Sequence, residues 1–142
     1  MTAPVEIEYD SVKREIRTRM TLFPVAPFVS GPTEPVVCEG IWDTGANSSS
    51  TSERAARALD LMPVGCMDVE TANGHRESPV YKVDVLLPND VCIKGLCVTE
   101  SDITACDMLV GMDIISMGDF LVTNKGCTKF AFRVPPEGSS PV

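Results

Sequence analysis

The sequence predicts an all-β domain, closed or orthogonally packed, on three observations. Short segments rich in β-branched and aromatic residues recur along the chain. Turn residues (Gly, Pro, Asn) separate them, and only two short stretches carry helical spacing. The 142 residues fit one domain, with no internal repeat. Hydrophobic residues at 44% supply a core and argue against wholesale disorder.

The elements follow in order. Residues 1–14, with Glu6, Glu8 and Asp10, read as a solvated N-terminal arm ahead of a domain spanning 15–134. Residues 12–22 read as an amphipathic strand with Ile16, Thr18 and Met20 on one face. Pro24, Pro27, Gly31, Pro32 and Pro35 break up a loop. Val36–Trp42 suits a pleated, buried surface and runs straight into Asp43-Thr44-Gly45-Ala46. Ser50-Thr51-Ser52-Glu53 has capping-box spacing and predicts a helix over 53–59, capped by Ser50 and closed by Pro63. Ala55, Ala56 and Leu59 face inward there, and Arg54 and Arg57 outward. Asn73-Gly74, between an alternating segment at 67–71 and another at 81–85, predicts a β-hairpin.

Asn89-Asp90 marks a further turn, and 91–98 a strand with Gly95 as a bulge or turn. Met108–Val110 reads as a short buried strand. Residues 112–117 read as one or two helical turns stopped by Gly118, with Asp113 as a local cap or turn residue. Strands at 120–122 and 128–134 flank the turn Asn124-Lys125-Gly126. The second sets Phe130, Phe132 and Val134 against Lys129, Ala131 and Arg133, and as an exposed edge it is expected to be paired, with a symmetry mate or with the amino-terminal strand. Residues 135–142 read as a disordered tail.

Charge and cysteine usage exclude several classes. Twenty acids against twelve bases give a net charge of −8, which argues against nucleic acid as a partner. No run of 18 apolar residues marks a membrane span. The first twenty residues hold Glu6, Glu8, Asp10 and Glu15 without an apolar core, so no signal peptide is visible. The six cysteines (Cys38, Cys66, Cys92, Cys97, Cys106, Cys127) are then expected as free, buried strand thiols in a reducing compartment, the cytoplasm. Cys92 and Cys97 make half a zinc set at best. The single histidine, His75, sits beside a turn, so neither a metal nor another cofactor is expected.

Asp43-Thr44-Gly45 is the segment with chemistry in it. A carboxylate at the end of a buried strand is costly unless hydrogen-bonded or used, although all three residues are also ordinary turn formers. Residues 36–132 resemble the retropepsin-like aspartic proteases, the single-domain relatives of retroviral protease. Four motifs in order carry the resemblance: Trp42-Asp43-Thr44-Gly45-Ala46; the hairpin around Thr71-Ala72-Asn73-Gly74-His75, where that family places its flap; Leu109-Val110-Gly111 before a short helix ending in Gly118; and Gly126-Cys127-Thr128 with Phe130 in the last strand. The helix after the Asp motif and the run Leu109 to Asp113 look more like bacterial and eukaryotic cellular members than retroviral ones.

The resemblance implies a closed, orthogonally packed acid-protease barrel with a flap hairpin and one or two short helices. It also implies a homodimeric aspartic endopeptidase acting on extended or unfolded polypeptide, because the chain holds one Asp-Thr-Gly and the chemistry needs two carboxylates. Two Asp43 side chains would share a proton and activate a water. Thr44 would lock the two loops across the axis, Gly45 would let the backbone approach, and Ala46 would keep the site uncrowded. Thr71, Ala72, Asn73, Gly74 and His75 would cover substrate, and Leu109, Val110 and Gly111 would brace the site. The alternative is a non-catalytic dimerisation or peptide-binding module on the same fold. Neither reading calls for nucleic acid or membrane.

Overall fold

The structure, a computed structural model, describes residues 2–31 and 33–138. Pro32 and residues 139–142, part of the expected tail, lie outside the described residues. Of Thr71 only the backbone is described.

Ten strands and two short helices appear among the described residues: β1 (Val5–Glu8), β2 (Ile16–Pro24), β3 (Val36–Trp42), β4 (Ser50–Ser52), α1 (Glu53–Ala58), β5 (Gly65–Thr71), β6 (Gly74–Leu86), β7 (Cys92–Ser101), β8 (Met108–Val110), α2 (Met112–Ile115), β9 (Asp119–Thr123) and β10 (Lys129–Arg133). Seven strands form one sheet in the order β2-β3-β8-β4-β7-β6-β5, and β2 also pairs with β6. That second pairing closes the sheet into a barrel. It engages only residues 83–86 of β6, so the distal half of β6 projects with β5 as a hairpin. A second sheet, β1-β10-β9, packs against the barrel.

Alternation decides which faces are buried. Ile16, Thr18, Met20 and Leu22 of β2 point inward, as their spacing predicts. Trp42 joins the two sheets: its ring centroid lies 4.8 Å from Phe132, 5.0 Å from Phe130 and 6.0 Å from Phe120. Its indole N–H donates to Thr18 Oγ1 at 2.9 Å, which satisfies the one polar atom of a buried ring. Strand β3 is thereby fixed from the core side at the residue before Asp43. In β7 an extra residue relative to β6 makes a bulge, with Gly95 at φ +63°.

Four expectations need correction. The cap of α1 is Ser52, whose Oγ accepts the Ala55 N–H at 3.1 Å; Ser50 is taken up by β4, paired to Thr99 and Leu109. The hairpin turn is Ala72-Asn73, one residue earlier than expected, with Gly74 at φ +107° opening β6. Strand β6 begins at Gly74 rather than at 81: the polar run His75 to Ser78 is strand, because pairing with β5 overrides its composition. Strand β10 is the centre of its sheet, between β1 and β9, so the edges there are β1 and β9. Phe130 and Phe132 do share one face, toward the core.

Residues 1–14 contain β1, with Val5 buried against the core and Tyr9 Oη donating to the Arg17 carbonyl at 2.6 Å; Glu6 and Glu8 face solvent. All six cysteines are free thiols, but only Cys38 and Cys106 are buried. Burial pushes the Cys38 thiol up to about 12. No helix among the described residues is long and apolar enough to cross a membrane.

Candidate active site

Strand β3 delivers Asp43 to the rim of the barrel. Trp42 and Val110 are buried, so by alternation Ile41, Asp43 and Leu109 take the opposite face. Ile41 and Leu109 are register partners across the parallel β3–β8 pair, and both are half-buried. Together they put two apolar side chains on the face that Asp43 takes.

The loop after Asp43 is pinned to the β8–α2 junction along its length. The Asp43 N–H donates to the Val110 carbonyl at 2.8 Å. The Ala46 N–H turns back to the Asp43 carbonyl at 3.2 Å, and the Ala46 carbonyl accepts the Met112 N–H at 2.8 Å. The Gly45 N–H donates to Asp43 Oδ1 at 2.9 Å, which fixes the carboxylate plane. Further along, the Ser49 N–H and hydroxyl donate to Asp113 Oδ2 and Oδ1 at 2.8 and 2.7 Å, while Ser49 Oγ accepts the Gly111 N–H at 3.0 Å. Gly111 has no room for a side chain: a Cβ there would stand 2.7 Å from the Ser48 carbonyl carbon and 2.9 Å from the Ala46 oxygen.

The structure thus brings Asp43, Gly45, Ala46, Val110 and Gly111 together. Thr44 is exposed, and among the described residues its hydroxyl meets no partner. Ala72, Asn73, Gly74 and His75 are exposed at the end of the hairpin, and none of the bonds that pin the Asp43 loop involves them. His75 Nδ1 lies 3.8 Å from Asp68 Oδ2, and both side chains are exposed. Among the described residues no group of His, Cys, Asp and Glu could hold a metal ion.

Sequence reasoning missed several residues. Ser49 carried no motif signal, and Asp113 bonds beyond its own helix. Glu100 and Asp102 had no assigned role. Glu100 accepts the Tyr81 hydroxyl at 2.9 Å; burial, and then this bond, push that phenol up to about 12. Asp102 pairs with Arg76 of the hairpin at 2.9 Å. The segment 102–107 is also held by Arg17, which donates to the Ala105 carbonyl at 2.9 Å, and by Arg54, which pairs with Asp107.

This architecture matches known structures. The crystal structure of a retropepsin-like aspartic protease from Rickettsia conorii superposes with a TM-score of 0.56, covering 93% of this chain and 94% of that one at 15% identity. The solution structure of the simian foamy virus (mac) protease matches 70% of this chain and 92% of its own, at 16% identity and a TM-score of 0.47. No protein-family model and no curated protein sequence matches the chain. The chain has the retropepsin-like fold, and its likeness to the bacterial protease runs over nearly its whole length.

Proposed function

We propose that this chain is one half of a homodimeric aspartic endopeptidase, in which two Asp43 carboxylates meet and activate a water against a peptide bond. The observation that carries the reading is Asp43 itself. It stands at the rim of a retropepsin-like barrel, on a loop pinned to the β8–α2 junction and on the face that Ile41 and Leu109 take. One chain holds one Asp-Thr-Gly, so the site is complete only with a second copy.

In that dimer, two carboxylates in contact share one proton. The ionised member takes a proton from water, whose oxygen attacks the carbonyl carbon. The protonated member donates to the developing oxyanion, giving a gem-diol. As the C–N bond breaks, the nitrogen takes the proton that came from water and a diol hydroxyl returns one to the ionised carboxylate. The exposed Thr44 hydroxyl is free to bond the second copy's loop. The projecting β5–β6 hairpin, with Thr71 to His75 at its tip, would close over an extended peptide bound like an added strand. Ile41 and Leu109 on that face favour apolar side chains beside the cut bond. Low selectivity is expected there, because apolar pockets separate near-homologous side chains by only about 10–200-fold.

The test is peptidase activity on an unfolded protein from pH 4 to 7, wild type beside Asp43→Asn. The wild type should cut between apolar residues, more slowly as pH rises and the shared proton is lost. The variant should keep its fold and lose cleavage. Cleavage by the pure variant would remove Asp43 from the mechanism.

A further inference from the structure

We infer that Asp113 and Ser49 are positioning residues for the Asp43 loop, acting through hydrogen bonds that run in one direction only. The inference rests on the reading of Asp43 as the catalyst. Asp113 lies in the first turn of α2, whose cap position is Gly111, and its Oδ1 accepts the N–H of the next residue, Ile114, at 2.9 Å. Both of its oxygens are nevertheless turned toward Ser49, 64 positions away in sequence, taking its N–H and its hydroxyl. Three donors converge on one carboxylate, which only accepts. The Ser49 hydroxyl must therefore donate to Asp113, and this aims its lone pair at the Gly111 N–H. Ser49 is 0% exposed, so its own donors depend on these protein partners, while Asp113 is half-buried.

The network closes the far end of the Asp43 loop. The near end is held by Asp43 N–H on Val110, the middle by Ala46 on Met112, and the end by Ser49 on Gly111 and Asp113. Between these anchors Thr44, Gly45, Asn47 and Ser48 are exposed, and of these only the Ser48 carbonyl lies against buried Gly111. The plane of the Asp43 carboxylate is set by the Gly45 N–H, which lies within the anchored span. An amide at position 113 keeps the shape but offers one acceptor and adds two donors. One Ser49 donor then loses its partner, and the anchor loosens without a cavity being opened.

The test uses Asp113→Asn, Ser49→Ala and the double variant of the full chain. Misplacement of reacting groups by about 1 Å costs on the order of 100-fold. Asp113→Asn should accordingly lower kcat roughly 10- to 100-fold per folded dimer, with KM changed by less than about 3-fold. The limbs of the pH–rate profile should also draw together, because carboxylates held less closely interact less. The double variant should be no worse than the worse single variant, as for residues in one network. A merely structural role would lower the folded fraction and leave kcat per folded dimer and the pH limbs as in wild type; that result overturns the inference.

Amide hydrogen exchange at Gly45, Ala46 and Met112 supplies a readout independent of catalysis. It should speed up in both single variants while Phe130 and Phe132 stay protected. Unchanged exchange in the variants overturns the positioning role even if the wild type proves inactive, whereas faster exchange in the variants of an inactive wild type sinks the protease reading alone. Ser49→Ala, the smaller change, decides the matter if Asp113→Asn does not fold.

Discussion

Gly111 shows how a single missing side chain builds a site. Its backbone is extended at φ −94°, so any residue could adopt the conformation. The constraint is space: the loop carrying Asp43 crosses over it, with the Ser48 carbonyl oxygen 2.8 Å from where a Cβ would sit. Real Cβ atoms do not come that close to backbone, so Gly111→Ala must push the loop away. Overpacking of this kind costs about 1–3 kcal/mol. The expected outcome is a folded protein with Tm lowered by several degrees and peptidase activity reduced far more than stability, measured by calorimetry and by kcat on one preparation. Activity falling only in step with the folded fraction would mean that the loop tolerates the shift. The sequence made Gly111 legible through Leu109-Val110-Gly111, because apolar strand residues before a glycine are a local pattern. Ser49 and Asp113 were not legible as a pair: 64 residues separate them, and each alone is an ordinary turn or cap residue.

At the scale of elements, the legible parts were those whose local pattern agrees with their tertiary use. Strand β3, strand β8 and the inward face of β2 follow from period-2 burial, and Gly95 from its bulge. The failures lie where pairing overrode composition. Ser50 has the spacing of a cap and becomes strand, and the polar run His75 to Ser78 becomes part of the projecting hairpin. That hairpin is joined to segment 102–107 by Arg76, whose guanidinium meets Asp102 Oδ2 at 2.9 Å and Ser78 Oγ at 3.1 Å. Asp102 is largely solvent-exposed, so the pair contributes at most about 1 kcal/mol. Such a link is strong enough to bias the hairpin and weak enough to break and re-form. Arg76→Ala should leave global stability within about 1 kcal/mol of wild type. It should speed amide exchange in β5 and the distal half of β6, and salt raised to 0.5 M should do the same to the wild type. Hairpin exchange insensitive to both would show that the ion pair does not hold it.

At the scale of the whole molecule, the proposed dimer requires a surface that meets a second copy. The sequence pointed to 128–134 as an edge, but β10 has neighbours on both sides. Strand β1 is an edge, yet its N-terminal end meets the 88–90 turn, where Asn89 Nδ2 donates to the Ala3 carbonyl at 2.8 Å. Strand β9 ends the sheet on the other side, and its outward residues are Asp119, Leu121 and Thr123, with Leu121 58% exposed. An antiparallel pairing of two β9 strands centred on Leu121 would bury both leucines at the two-fold axis. It would set Asp119 opposite Thr123 of the second copy, one strand from Lys129, so that charges alternate across the joined sheet. Open apolar edges of this kind recruit a strand, and a lysine blocks them. Leu121→Lys should therefore yield a folded monomer by sedimentation and lose peptidase activity with the dimer. Val37→Lys, at a comparably exposed apolar position on β3, should change neither. A Leu121→Lys protein that sediments as a stable dimer would move the two-fold axis away from β9, to the Asp43 loops and the hairpins.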